Sequence, residues 1–400
     1  MNLKFLLNFY YIYINNLTIF FILLTIFLNP FLILINIYLK SFNIFQDTNY
    51  PAIFIRLLYT LIMLCILYKL PKKRSDLNIL YLILLNLIFS LKILIEDKFN
   101  FFSQPINIQD YKILLINFFN CSLILFFMMN RKFDFDVNKL NNIIFKFCKI
   151  YILLLTVILV VKYFNQDLIR PDTFITILNF KLSYLHKINL VNAHSVGLVI
   201  TIFLILLLEN LINEKNIKKF DLAIFLLSII ITIVFHLSII FLTLLIYLFL
   251  KILYFKNYRK PFFFCLIILI IFLLFLFQEF IMTSIFSRLK IIIQNFNEFL
   301  MYDIFFGKKI SLDWSQYNHN LFLDIFNNLG FFGLIIFIKL FYSTFLSNQK
   351  YNFLFNNYKN FILIVLIYVF YSLLIGFYFM NTSLIILIAV SSILGKKIKN

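Results

Sequence analysis

The sequence predicts an all-α, polytopic membrane protein, a single bundle of about 12 transmembrane helices. Of its 400 residues, 63% are hydrophobic and only 13% are charged. Apolar runs of about twenty residues recur along the chain, and each is long enough to cross a hydrocarbon layer of roughly 30 Å. A soluble fold of this size could not cover so much Phe, Ile and Leu with polar surface. We therefore expect one integral membrane domain over residues 1–400.

The apolar runs give twelve candidate spans. Two of the runs, 221–255 and 359–394, are too long for one crossing at a rise of about 1.5 Å per residue, so each is divided into two short helices. The predicted spans are 17–39, 52–70, 77–95, 111–129, 143–163, 191–212, 221–236, 239–255, 262–281, 320–340, 361–376 and 380–394.

The basic residues predict the orientation of these spans. With both termini in the cytoplasm, the inner connections hold 18 Lys and Arg residues and the outer connections hold 9. This bias follows the positive-inside rule and places two long loops, 164–190 and 282–318, on the outer side. The formal net charge of +19 is thus assigned to membrane orientation, and no nucleic-acid partner is expected.

Neither a metal nor a nucleotide cofactor is expected. The four cysteines fall inside apolar runs without the close spacing of a zinc or redox site, which predicts that they are small buried hydrophobes. The chain contains no P-loop, and its cytoplasmic connections are too short for a nucleotide-binding domain. Any chemistry is therefore expected at the outer face.

Residues 286–337 form the longest stretch of mixed polarity in the chain. After His319 the chain becomes apolar again, which predicts that this stretch is an outer loop whose last residues lie at the start of the tenth span. The polar and small residues that distinguish this stretch are Arg288, Lys290, Trp314, the pair His319–Asn320, Gly330 and Gly333.

The segment from His319 to Gly333 resembles the signature of the O-antigen ligase and O-antigen polymerase family. It has His-Asn at the end of an outer loop, an apolar helix start and then Gly-x-x-Gly. Gly330 and Gly333 are expected to allow close helix packing. Upstream, Arg288 within Ser-Arg and Gly307 within a short turn are similar to features of the same family loop. Residues 192–197 resemble its Asn-rich motif. Asn328 departs from the pattern, because the family usually has an acidic residue there.

This resemblance implies an enzyme of the bacterial inner membrane, with 282–340 as its catalytic loop and following helix. Such enzymes transfer glycan from a polyprenyl diphosphate carrier to an acceptor hydroxyl at the periplasmic face. The leaving lipid diphosphate needs a cation, and Arg288 fits because a guanidinium binds phosphate oxygens bidentately. Arg170 and Lys290 are secondary candidates. His319 is the candidate general base for the acceptor hydroxyl.

Four further residues are candidates for substrate binding. Asn320 and His194 belong to the motifs that carry the resemblance. Asp324 lies five residues into the tenth span, where a carboxylate needs a polar partner, so it either orients His319 or pairs with Arg288. Arg56, near the outer end of the second span, either reaches the interface or joins the phosphate site.

Several functions stay open at this point. A ligase would pass glycan to lipid A–core, and a polymerase would pass it to another lipid-linked glycan; the twelve-span layout favours the ligase. A transporter or flippase of lipid-linked oligosaccharide is the alternative from another class, and it would require paired charges deep within several spans. A structural or assembly protein of the membrane is the third possibility.

Overall fold

The protein was analysed as a computed structural model. The structure describes residues 3–41, 49–72, 76–100, 108–133, 135–164, 193–212, 218–234, 240–245, 247–248, 267–268, 271, 289–290, 292–294, 297, 300–308, 321–343, 364–365, 367, 369 and 382–395.

The described residues fold as α-helices and hold no β-strand, only an isolated β-bridge between Lys72 and Arg131. The prediction of an all-α fold is confirmed for these residues. The helices are α1 (Leu3–Ser41), α2 (Asn49–Lys69), α3 (Leu77–Asn100), α4 (Ile108–Met128), α5 (Val137–Phe164), α6 (Ala193–Ile212), α7 (Lys219–Val234), α8 (Met301–Phe306), α9 (Leu321–Phe341) and α10 (Thr382–Gly395).

Three helical stretches of the described chain are long and apolar enough to cross a membrane: Tyr10–Phe27, Val137–Val157 and Leu321–Phe341. Shorter apolar stretches occur in α2, α3, α4, α6 and α10. Of the predicted spans 239–255, 262–281 and 361–376, only parts lie within the described residues. The full count of twelve spans stays a prediction.

The chain forms two compact units. The first unit comprises residues within 1–26, 49–140 and 287–400. In it, α4 packs against α2, α3 and α10, while α9 packs on α3 and α8 packs on α9. Stacked rings of Phe89 and Phe118, with centroids 5.6 Å apart, join α3 to α4. This arrangement holds α3 and α9 side by side, which positions the candidate site.

One end of the first unit is fixed by polar contacts. Asp76 begins α3 by accepting a hydrogen bond from the backbone N–H of Asn78 at 3.0 Å. Ser392 of α10 donates to the other carboxylate oxygen of Asp76 at 3.4 Å and accepts from the Asn78 amide at 3.0 Å. These contacts join the start of the third helix to the last described helix.

The second unit comprises residues within 27–48 and 141–286. Phe145 of α5 stacks on Phe203 of α6 with centroids 5.2 Å apart. The Lys149 ammonium lies 2.7 Å from the Asp221 carboxylate of α7. Glu209 of α6, which is buried, accepts a hydrogen bond from the hydroxyl of Tyr247 at 2.6 Å.

Two helices, α6 in the second unit and α10 in the first, are buried on nearly all sides over 196–210 and 383–393. Such helices are apolar all round because no face meets water. Their hydroxyls bond to their own backbone, as Thr201 does to the Gly197 carbonyl and Ser391 to the Leu387 carbonyl.

The expectation that all four cysteines are buried is wrong for one of them. Cys121 and Cys148 are buried, but Cys65 lies on the exposed side of α2, and Cys265 lies outside the described residues. In a membrane helix the exposed side can face lipid, where a thiol costs little. Apolar sequence context alone therefore did not distinguish core from lipid-facing positions.

Candidate functional site

The described centre of the mixed-polarity stretch is the contact between α8 and α9, which we call the loop–helix junction (residues 300–308, α9 and Lys92). Helix α8 is short, and Asp303 in its first turn fixes its start. The Asp303 carboxylate accepts the backbone N–H of Leu300 at 2.9 Å. The chain then turns at Gly307, whose N–H bonds back to the Asp303 carbonyl at 2.7 Å.

Helix α9 is interrupted at Gly330. This residue has φ 64° and ψ −161°, outside the helical region, within an otherwise helical segment. Only glycine adopts such a backbone without steric penalty. Gly330 lies nine residues past Leu321, about 13 Å along the helix at 1.5 Å per residue, so the break falls inside the candidate span.

The interruption redirects two backbone carbonyls of the preceding turn. The Asn327 carbonyl accepts the N–H of Lys308 at 2.6 Å. The Asn328 carbonyl accepts the ammonium of Lys92 at 2.6 Å. Carbonyls freed inside an apolar layer must find donors within the protein, because water does not reach them there. Segment 300–308 and α3 supply those donors.

Lys92 links three parts of the fold. It belongs to α3, and its ammonium bonds to Asn328 of α9 and, at 2.8 Å, to the Phe306 carbonyl at the end of α8. A lysine ammonium has three donor hydrogens and no acceptor, so it suits a position between carbonyls of two different segments. Lys92 therefore fastens the loop segment to the helix.

Two glycines allow the segments to come this close. A Cβ on Gly307, which has φ 77°, would overlap the backbone of Asn328 and Leu329. A Cβ on Gly330 would overlap the backbone of Phe305 and Phe306. The sequence predicted that the glycines of Gly-x-x-Gly permit close packing; the partner of Gly330 is the loop segment. Gly333 instead meets the side chain of Leu329 within its own helix.

Polar side chains of α9 lie on the buried side of its first half. Asp324 is 1% exposed, Asn328 is 3% exposed, and Asn327 is 9% exposed. The Asn328 amide donates to the Asp324 carbonyl at 2.6 Å. The side-chain oxygen of Asn327 has no hydrogen-bond partner among the described residues. This half of α9 thus presents a polar strip to the protein interior.

The structure describes two of the eight predicted site side chains. Asp324 is buried in α9, and Lys290 is exposed in a helical turn. Arg56 and His194 lie in α2 and α6, but their side chains are outside the described part of the chain. The remaining four, Arg170, Arg288, His319 and Asn320, lie wholly outside it. Their roles, and the suggested contacts of Asp324 with His319 or Arg288, stay predictions.

Sequence reasoning missed Lys92. It lies in a long apolar run one turn before Glu96–Asp97–Lys98, where the end of a span is predicted and charged residues are common. A single lysine within an apolar helix is itself a signal, because a charge there needs buried partners. Its partners are backbone carbonyls more than 200 residues away in the sequence. Every residue has such a carbonyl, so no side-chain type in the sequence identifies them.

Within the described ranges, no group of three or more His, Cys, Asp or Glu could hold a metal ion. No family model, no curated protein and no solved structure matches the chain. The resemblance to the O-antigen ligase and polymerase family therefore rests on the residues quoted for it.

Proposed function

We propose that this protein is an integral membrane glycosyltransferase of the O-antigen ligase type. It would move glycan from a polyprenyl diphosphate carrier in the bacterial inner membrane to a hydroxyl of lipid A–core at the periplasmic face. Its substrates would be the lipid-linked donor and the glycolipid acceptor, both presented by the membrane. The reaction would use neither a metal nor a nucleotide.

One observation supports this proposal most directly. The chain from Lys308 to Leu321 starts and ends on the same helix, because Lys308 bonds to Asn327 of α9 and Leu321 begins α9. Lys92 and the two glycines hold the first of these ends. The connection that carries His319 and Asn320 is therefore anchored at both sides. A general base needs such anchoring, since small displacements of a reacting group are costly in rate.

The proposed reaction follows from the residue types. The acceptor oxygen attacks the anomeric carbon of the glycan, and its proton passes to the imidazole of His319. The bond from that carbon to the diphosphate oxygen breaks, and the electron pair stays on the lipid diphosphate. Arg288 binds the phosphate oxygens as negative charge develops. Lys290, Arg170 and Arg56 are the further cations proposed for this site.

His194, Asn320 and Asp324 are proposed to bind the substrates or to orient the reacting groups. Asp324 is buried in the first turn of α9, within one turn of the position that follows His319. A carboxylate so close in sequence can hold an imidazole in one tautomer. The start of α9 also favours an anionic diphosphate through its free backbone N–H groups.

The test is a lipopolysaccharide gel from cells that lack the gene and receive either the native chain or His319→Ala. Bare core with long glycan on the carrier lipid would support the ligase. Core bearing a single repeat would support a polymerase, which transfers to a second lipid-linked glycan. His236→Ala is the matched control, and we expect it to restore the native pattern. A normal ladder with His319→Ala would contradict the general-base role.

A transporter of lipid-linked oligosaccharide is the second candidate, and one observation favours it. Glu209 is a buried carboxyl in an apolar helix, bonded to the Tyr247 hydroxyl, and such groups carry protons in transporters. Yet Glu209 lies three residues from the end of α6, and Asp221 lies near the start of α7. These charges are close to helix ends, whereas transporter sites lie near the midplane. A Glu209→Gln chain that abolishes lipid translocation would favour the transporter.

A further inference from the structure

Helix α8 does not lie beyond the end of α9; it lies beside the middle of that helix. Its last residues, Phe305 and Phe306, meet the backbone at Gly330. Their rings also lie 6.2 Å and 5.8 Å, centroid to centroid, from the ring of Phe332. In a membrane that α9 crosses, segment 300–308 would lie at the depth of the hydrocarbon layer.

The polarity of α8 is the reverse of that of a helix on an aqueous surface. Its only charged residue, Asp303, is 4% exposed, whereas Met301 is 84% exposed and Phe306 is 65% exposed. The large apolar residues of the segment that are exposed are Leu300, Met301, Tyr302, Ile304, Phe305 and Phe306. A surface helix in water buries its apolar stripe and exposes its charges. This segment does the opposite.

The exposed side of α8 is continuous with an exposed apolar side of α9. Phe331 and Phe332, which follow the break, are exposed, as are Ile335 and Ile338 one and two turns later. Phe332 contacts the rings of α8 directly. In a helix that spans a membrane, exposed apolar residues face lipid. The two helices therefore present one joined apolar surface.

We infer that residues 300–308 form a re-entrant membrane segment whose exposed side contacts the acyl chains of the bilayer. The segment enters the membrane beside α9 and turns back at Gly307. At that depth, freed backbone carbonyls must be hydrogen-bonded within the protein. The Lys92 ammonium donates to the carbonyls of Phe306 and Asn328, and the Lys308 N–H donates to the carbonyl of Asn327.

This inference changes the interpretation of loop 282–318. The sequence predicted that 282–318 is an outer loop, whereas the inference places part of that loop within the apolar layer. Burial of a large apolar side chain is worth roughly 1.5–3 kcal/mol, so exposure of six such residues to water would strongly oppose an aqueous position for the segment. The inference does not depend on the proposed enzyme activity, since a protein of any function could carry such a segment.

The experiment places a single tryptophan in the segment of the full-length protein. Met301→Trp is made in a Trp314→Phe background, and the protein is reconstituted in phosphatidylcholine vesicles. Acyl chains brominated at defined positions quench tryptophan that lies in the hydrocarbon layer, and iodide quenches tryptophan in water. Phe331→Trp serves as the lipid-exposed control and Asn138→Trp, at an exposed helix start, as the aqueous control.

We expect brominated lipid to quench Met301→Trp as strongly as Phe331→Trp, with protection from iodide and blue-shifted emission. Quenching by iodide as for Asn138→Trp would overturn the inference. Resistance to both quenchers would overturn it too, since another protein surface would then cover the segment. Neither outcome bears on His319→Ala, so this inference and the proposed function fail independently.

Discussion

Gly307 and Gly330 lie face to face at the loop–helix junction, and a Cβ on either one would overlap backbone next to the other. Each also has a positive φ, 77° for Gly307 and 64° for Gly330. The two requirements are independent, because one concerns the residue's own conformation and the other its neighbour. Together they make both positions specific for glycine.

Alanine at either glycine is expected to separate α8 from α9. Gly307→Ala and Gly330→Ala should each lower the free energy of unfolding in detergent by at least about 2 kcal/mol, since the left-handed conformation alone costs roughly 1–2 kcal/mol. Ile335→Ala, at an exposed position of the same helix, is the control, because it adds no atom to the junction. The measurement is a denaturation curve for each variant, and equal effects at all three positions would contradict the prediction.

Lys92→Met is expected to destabilise the protein by about 2–4 kcal/mol, because two hydrogen bonds from a charged donor are lost and two carbonyls are left without it. Lys92→Arg keeps the charge and should recover part of that loss. Lys69→Met, at an exposed position near the end of α2, is the control and should change little. Thermal unfolding of the purified proteins would measure the three effects. A Lys92→Met protein as stable as Lys69→Met would show that the junction does not depend on the ammonium.

The pair Lys149–Asp221 is expected to stabilise the second unit. Its side chains are only 17% and 9% exposed, and the ammonium also lies 4.6 Å from the centroid of the Phe145 ring. A double-mutant cycle with Lys149→Met and Asp221→Asn should give a coupling free energy of about 1–3 kcal/mol. The same cycle on the exposed contact between Lys139 and Asn16 should give less than about 1 kcal/mol. Loss of glycan transfer without loss of stability would argue against a structural role for the pair.

Arg288→Lys tests the proposed phosphate contact. If Arg288 binds the leaving diphosphate bidentately, lysine keeps the charge but loses the fork geometry, and transfer should fall by about tenfold to a hundredfold. Arg259→Lys, in a connection that the sequence places on the inner side, should keep native activity. The rate of glycan transfer to lipid A–core in vesicles is the measurement. Equal rates for the two variants would remove Arg288 from the site.

Sequence patterns predicted the helical fold and much of its layout, because apolar runs and helix length are local properties. The start of α9 at Leu321 lies one residue from the predicted span, and α3 begins at Leu77 as predicted. The first span was predicted over 17–39, and the helix that contains it runs from Leu3 to Ser41, since polar residues such as Asn15 and Asn16 do not end a helix.

The loop–helix junction could not be predicted in the same way. The sequence marked Gly330 as a packing residue but did not show that α9 breaks there, because a glycine is also tolerated within a continuous helix. Nor did it show that the ammonium of Lys92 bonds to main-chain carbonyls of α8 and α9. Main-chain atoms look the same at every residue, so a contact to them leaves no side-chain signature.

The bond between Ser392 and Asp76 has a consequence for biosynthesis. The two residues are 316 positions apart, and the helix that carries Ser392 is buried against α3 and α4. A ribosome delivers the first four helices to the membrane long before it reaches α10. Until then the surface of α3 and α4 that α10 covers is open to lipid or to the insertion machinery, and the Asp76 carboxylate does not yet accept the hydrogen bond from Ser392. Assembly of the first unit is therefore completed only after residue 392 has been translated.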